Sequence, residues 1–271
     1  MLISIIAAVG TVLALINPPG PGPFGNVKLA QPVPGAARGT TGKDGWKTGK
    51  LCNVTQPPFD AVGDNTTNNT AALQKAIDTC GDLPSGGTVL LPAGSRAFMT
   101  GSLFLRSNLT LRIEEGATIL GSTVESDAPM VYTRRSCLMM NAHAGLLNGG
   151  RCLSMKNEST GGDDCAEWAK LSNVVIEGEG TVDGNGEHWF SLKDPHQRPM
   201  MLDLLWINGL TLRDLRIRRP GFWTTHPCFC NNVRATGLDI LTDGKNTDGL
   251  DPDSTWNVYI GNNSFSTGDD W

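Results

Sequence analysis

Two acidic phrases stand near the end of this 271-residue chain: Asn246-Thr247-Asp248-Gly249-Leu250-Asp251-Pro252-Asp253-Ser254 and Gly268-Asp269-Asp270. Asp248 and Asp269 are 21 residues apart, too far for one strand or one helical face and about the length of one solenoid coil. In a stacked parallel β-coil, equivalent positions on neighbouring rungs sit about 4.8 Å apart. The spacing therefore predicts that Asp248, Asp269 and Asp270 share one patch of surface. Crowded carboxylates cannot all ionise freely, so at least one keeps its proton to higher pH. A protonated carboxyl that donates to a leaving oxygen, beside an ionised one that activates water or attacks, is what glycosidic bond hydrolysis requires. Adjacent residues of a regular strand face opposite sides, so Asp269 and Asp270 reach one sugar together only at a strand end or a bulge. Taken alone, the nine-residue phrase also fits an Asp-rich turn or a calcium loop. The matched spacing disfavours both.

Other groups are candidates for the same surface. His226, in Trp223-Thr-Thr-His226-Pro227, precedes Asp248 by 22 residues and fits either the cleft wall or a buried structural role. Asp251 fits equally a cleft-lining or a structural position beside Pro252. Arg216, Arg218 and Arg219 offer guanidinium groups for bidentate contact with carboxylates, or a solvated edge. Gly162-Asp163-Asp164-Cys165 imitates the second acidic phrase, but no Asn-Thr-Asp stands one coil before it, and a solvated loop is expected there. Cys228-Phe229-Cys230 is too tight for a zinc site and the four histidines are scattered, so no metal and no cofactor is expected.

A repeat supplies the elements that would position these residues. Leu210-Thr-Leu212-(x)2-Leu215-Arg-Ile217 aligns with Val233-Arg-Ala235-(x)2-Leu238-Asp-Ile240 and with Val258-Tyr-Ile260-(x)2-Asn263-Ser-Phe265, at offsets of 23 and 25 residues. Fragments of the phrase recur at Leu109-Thr-Leu111 and Val174-Val-Ile176. Repeats of this length mark stacked architectures whose coils bury their apolar faces against neighbours, and the alternation within each phrase selects strand over helix. Thr70 to Cys80 instead reads as a short helix with Leu73, Ala76, Ile77 and Cys80 on one face, capped by Asn69 or Thr70. It is expected to lid the first rung. Residues 123–172 break the rhythm and predict an irregular excursion.

The apolar run Leu2 to Ile16 has the length of a signal-peptide core and falls short of the ~20 residues a membrane span needs. Residues 17–50, rich in Pro, Gly and Thr, read as a disordered linker, and the folded part is expected over 51–271. Glycosylation triplets at Asn53, Asn65, Asn68, Asn108, Asn157 and Asn262 fit export. Seven cysteines predict disulfides with one thiol left over, and Cys228 and Cys230 are too close in sequence to bond each other. The formal charge of −5 argues against a nucleic-acid partner.

The ordered series Phe59 to Asp78, Gly86 to Gly94, Thr100 to Ser122, Gly178 to Gly186, Trp223 to Pro227, then N-T-D-G-L-D-P-D-S and T-G-D-D, resembles the polygalacturonases, pectin-cleaving glycoside hydrolases of family 28. The resemblance implies an all-β fold, a right-handed single-stranded parallel β-helix of the pectin-lyase-like kind with an N-terminal capping helix. It implies inverting hydrolysis of α-1,4-galacturonosyl bonds, Asp248 and Asp270 activating the water and Asp269 serving as general acid. Asn246, Asp251, His226 and Arg218 are assigned to substrate binding. Family members continue beyond D-D, with Cys in place of Trp271, to a G-H-G histidine and an R-I-K pair, so this sequence reads as an N-terminal portion of such an enzyme. The implied partner is pectic polysaccharide, with no nucleic acid and no membrane, and the implied state is a secreted monomer in the extracellular space or cell wall. Rhamnogalacturonan or xylogalacturonan hydrolysis, and an inactive carbohydrate-binding solenoid, are the alternatives.

Overall fold

The computed structural model describes residues 49–94, 96–156 and 164–270. The apolar run 1–16, nearly all of the linker 17–50, Asn157, Gly162, Asp163 and Trp271 lie outside the described residues.

Strands fall in rotation on three parallel sheets. The first sheet stacks Lys50–Asn53, Gly87–Leu91, Leu109–Ile113, Leu171–Glu177, Ile207–Arg213, Asn231–Thr236 and Trp256–Gly261. The second stacks Arg96–Thr100, Ala117–Gly121, Thr181–Asp183, Arg216–Arg218, Asp239–Leu241 and Ser264–Ser266. The third stacks Leu103–Phe104, Leu147–Asn148, Leu202–Leu205 and Thr225–Cys228, and single bridges from Thr225 to Leu250 and from Cys228 to Asp253 carry it one rung further.

The register is the one the repeat predicts. Leu210 pairs with Val233 and Val233 with Val258, while Leu212, Ala235 and Ile260 form the next column. Val89, Leu111 and Ile176 extend that column toward the N-terminus. On the second sheet Phe98, Ile119, Val182, Ile217, Ile240 and Phe265 stack in the same way. Most of these side chains are fully buried, so the core is a set of apolar columns running along the solenoid. Asn108, Asn173, Asn232 and Asn257 occupy one corner of successive rungs with positive φ, and Gly209 takes the equivalent place in its own rung. Only Gly, and Asn with its short amide, tolerate that backbone cheaply.

The helix spans Thr70–Cys80 and buries the four residues the pattern selects. Its start differs from expectation. Asn69 makes no capping bond, because its Oδ1 accepts from Val62 N at 2.7 Å; Asn68 Oδ1 accepts from Thr70 N at 2.9 Å instead. A Cys52–Cys80 disulfide ties the helix to the first strand.

Residues 123–172 leave the coil twice, as antiparallel hairpins Met130–Arg135/Leu138–His143 and Cys152–Met155/Cys165–Trp168, the second closed by a Cys152–Cys165 disulfide. Between them Leu147–Asn148 keeps its place in the third sheet, so this stretch still contributes to a rung. Two disulfides leave three free cysteines, Cys137, Cys228 and Cys230, where the count predicted one. Cys228 and Cys230 are buried on the third sheet and just after it.

Candidate active site

The site forms where the second sheet hands the chain to the third. After Asp239–Leu241 the chain turns through Thr242 to Asn246 before Asp248; after Ser264–Ser266 it turns through Thr267 and Gly268 to Asp269 and Asp270. Backbone bonds lock these turns in register. Asp248 O accepts from Thr224 N at 3.0 Å, and Asp270 O accepts from Gly249 N at 2.8 Å. Gly268 N donates to Thr242 Oγ1 at 3.2 Å. Gly268 is required for this approach, since a Cβ there would lie 2.2 Å from Gly244 O. The strand ends at Ser266, so the strict alternation of a strand no longer applies and Asp269 and Asp270 project to the same side.

One carboxylate oxygen each from Asp248, Asp269 and Asp270 lies within 4.8 Å of the other two. Asp248 is buried at 7% exposure, whereas Asp269 and Asp270 open to solvent. Burial pushes the Asp248 carboxyl up to about 6, helped by the like charges of Asp269 and Asp270. Burial and then the charge of Asp248 push Asp251 up to about 7. Asp248 Oδ1 and Asp251 Oδ2 are buried and accept no hydrogen bond from the protein, which removes the stabilisation an ionised carboxylate would need. Asp269 Oδ2 accepts from Asn246 N at 3.2 Å. The arrangement keeps Asp248 and Asp251 protonated to higher pH than ordinary carboxyls, while Asp269 and Asp270 open to solvent, a setting suited to general acid/base work.

Asn246 joins the site through its backbone, and its side-chain Oδ1 accepts from Arg198 at 3.1 Å. His226 is not on the surface that carries these carboxylates. It is fully buried one rung before Asp251, with Nδ1 donating to Asp203 Oδ1 at 3.1 Å and Nε2 3.8 Å from Asp253 Oδ2. The hairpin at 130–143 covers it: Arg135 and Thr133 bond Asp203 at 3.0 and 2.7 Å, and Arg134 bonds Asp253. Burial alone would lower the His226 pKa, but the two carboxylates raise it above its ordinary value. Arg218 is also removed from the substrate role, because its guanidinium bonds the Asp239 carboxylate at 2.5 Å and the Asp239 carbonyl at 2.6 Å. Arg219 is paired with Asp183 and Glu187. Arg198, Asp203, Arg134 and Arg135 escape a reading of motifs. Asp203 could have been found, because Asp203, His226 and Asp251 repeat at the same 23- and 25-residue offsets as the apolar columns.

Two groups have the ligand spacing for a cation, Asp248/Asp269/Asp270 and His226/Cys228/Asp253. In the second, burial raises the Cys228 thiol pKa strongly and Arg134 holds Asp253, so a metal would displace existing partners. The first is a set of three oxygens, a donor set for hard cations as well as for proton transfer.

The sequence profile described as Glycosyl hydrolases family 28 matches residues 138–271. The exo-poly-alpha-D-galacturonosidase of Dickeya chrysanthemi is 42% identical over 137 residues, 51% of this chain and 20% of that protein. A probable polygalacturonase of Vitis vinifera is 29% identical over 226 residues, 78% of this chain and 42% of its own length. Among solved structures, the family 28 exopolygalacturonase of Yersinia enterocolitica superposes with a TM-score of 0.64 at 26% identity, covering 81% of this chain and 43% of that one. The Thermotoga maritima exopolygalacturonase superposes at 0.67 and 22% identity over 81% of this chain and 53% of that one, a likeness of fold. The chain thus spans half or less of the length of these two curated relatives. Its pectin-lyase-like parallel β-helix is like theirs, and its segment 138–271 matches the glycosyl hydrolases of family 28.

Proposed function

We propose that this chain carries the acid machinery of a polygalacturonase, which hydrolyses α-1,4 bonds between galacturonic acid units of pectin. The observation that carries the reading is the convergence of Asp248, Asp269 and Asp270 within 4.8 Å, in a segment that matches glycosyl hydrolases of family 28. Asp269, solvent-facing and held by the backbone N–H groups of Asn246 and Asp270, donates its proton to the leaving glycosidic oxygen. Asp248 and Asp270, stacked on successive rungs, accept a proton from the attacking water. Asp248 works as a base only when ionised, so the rate rises as pH passes its value of about 6. Names carried by the relatives favour galacturonan over other pectic backbones: three of those matched are an exo-poly-alpha-D-galacturonosidase, a probable polygalacturonase and an endo-polygalacturonase.

Stereochemistry is a sharp test. Inverting glycosidases commonly hold their two carboxyls about 6.5–9.5 Å apart and retaining ones about 5–5.5 Å. The short separation here resembles the retaining spacing, while the family resemblance implies inversion. Proton NMR of trigalacturonate hydrolysis by the full-length protein should show the β-anomer first. Reducing ends should appear from polygalacturonate and not from rhamnogalacturonan or xylogalacturonan. First appearance of the α-anomer would reject inversion, and release from xylogalacturonan alone would reassign the substrate.

The apolar stretch Leu2–Ile16 and the two disulfides support export to an oxidising compartment. A monomer acting on cell-wall pectin is the corresponding physiological setting.

A further inference from the structure

Arg198 is a buried cation without an anion. It follows the turn Pro195–Gln197, in the excursion between the second-sheet strand Thr181–Asp183 and the third-sheet strand Leu202–Leu205, and is 4% exposed. Among the described residues it forms no ion pair. Its guanidinium donates instead to three neutral oxygens: Pro195 O at 3.3 Å, Lys245 O at 3.2 Å and Asn246 Oδ1 at 3.1 Å. It lies 4.9 Å from the ring centre of Phe190 and 5.0 Å from that of Phe222. Burying an unpaired charge is costly, and a Leu or Met would fill the same space between two rings without that cost. What neither could do is grip two successive residues of the loop with one rigid fork.

That loop is the one that reaches the carboxylates. Asn246 is left-handed, with φ of 60°, an unusual backbone for a residue other than glycine. In that conformation its N–H points at Asp269 Oδ2, 3.2 Å away. The contacts form a chain from Arg198 through Asn246 to Asp269. We propose that Arg198 is a positioning residue for the site: its fork fixes Lys245 and Asn246 so that the Asn246 N–H orients the Asp269 carboxyl. This role rests on the reading of Asp269 as general acid, but the coupling between Arg198 and Asp269 is a property of the fold that is measurable without turnover.

The test uses the full-length protein, Arg198→Met, Arg198→Lys and Asn246→Gly. The first readout is the residue 246 amide resonance followed against pH. In the wild type it should track a carboxyl titration that Asp269→Asn abolishes. The charged groups around Asp269 are Asp248, Asp270 and Asp251, and none of them changes in the Arg198 and Asn246 variants. In Arg198→Met the pH-dependent excursion of that amide should shrink at least about threefold and kcat on trigalacturonate should fall about 10- to 100-fold, the scale of a misplaced catalytic group, with KM nearly unchanged. Arg198→Lys, which keeps the charge but loses the fork, should fall between. Should Arg198→Met not fold, Asn246→Gly cuts the same link while keeping a backbone that tolerates positive φ, and the same loss of excursion is expected. An amide excursion unchanged in Arg198→Met, or in Asn246→Gly, overturns the proposal. If the excursion depends on Arg198 while the wild type cleaves no galacturonan, the positioning role stands and the proposed activity falls.

Discussion

Replacing Asp251 with Asn should stabilise this protein, and only at neutral and higher pH. The Asp251 carboxyl is pushed from its ordinary 3.8 up to about 7, first by burial and then by the charge of Asp248, against the opposing pull of His226. A carboxyl whose folded pKa is raised binds protons more tightly in the native state than in the unfolded one. Its penalty is therefore absent below pH 4, grows between pH 4 and 7, and is complete above 7. Three pKa units correspond to about 4 kcal/mol, and partial access to water brings the expected value to about 2 kcal/mol. A neutral amide of the same shape escapes this penalty. Calorimetry at pH 8 should give Asp251→Asn a melting temperature about 4–8 °C above wild type, and at pH 4 no difference. Asp248, raised to about 6, gives both proteins a further decline over the same window, so the difference between them isolates Asp251. Equal shifts at both pH values, or destabilisation at pH 8, would show that Asp251 is ionised and satisfied in the fold.

Asp203→Asn should cost about 3–5 kcal/mol, because it leaves Arg135 buried without its anion. Burial alone would raise the Asp203 pKa, but Arg135, His226 and Thr133 draw it down to about 2, so its stabilisation is present above pH 4 and is lost in wild type as pH falls toward 2; urea melts across that range check it. Leu212→Ala, in the centre of an apolar column, should lose about 2–5 kcal/mol in the same assay. Removing the Cys52–Cys80 bridge frees a loop with sequence separation 28 and should cost about 3 kcal/mol.

The solenoid was readable because each coil repeats one physical requirement. Leu210, Val233 and Val258 recur where a side chain must enter the column, so the offsets report the register directly. The carboxylate group was readable for the same reason: one coil carries Asp248 over to the 269/270 pair. The roles of His226 and Arg218 were not readable, because what decides them comes from elsewhere in the chain. His226 is covered by Arg135 and Thr133 of a hairpin with no repeat signature, and Arg218 is taken by Asp239 of the next rung. Arg198 has no motif of its own, and its relevance appears only when the excursion folds back onto Lys245 and Asn246.

The central claim, that Asp269 donates the proton while Asp248 and Asp270 activate water, is tested most directly by leaving-group dependence. The full-length protein and its Asp269→Asn and Asp248→Asn variants are compared on trigalacturonate and on an aryl α-galacturonide whose leaving group needs no proton. General acid catalysis is worth about 10²- to 10⁴-fold. Asp269→Asn should lose that factor on trigalacturonate and little on the aryl substrate, while Asp248→Asn should lose activity on both. Equal losses on both substrates for Asp269→Asn, or none on trigalacturonate, would contradict the assignment.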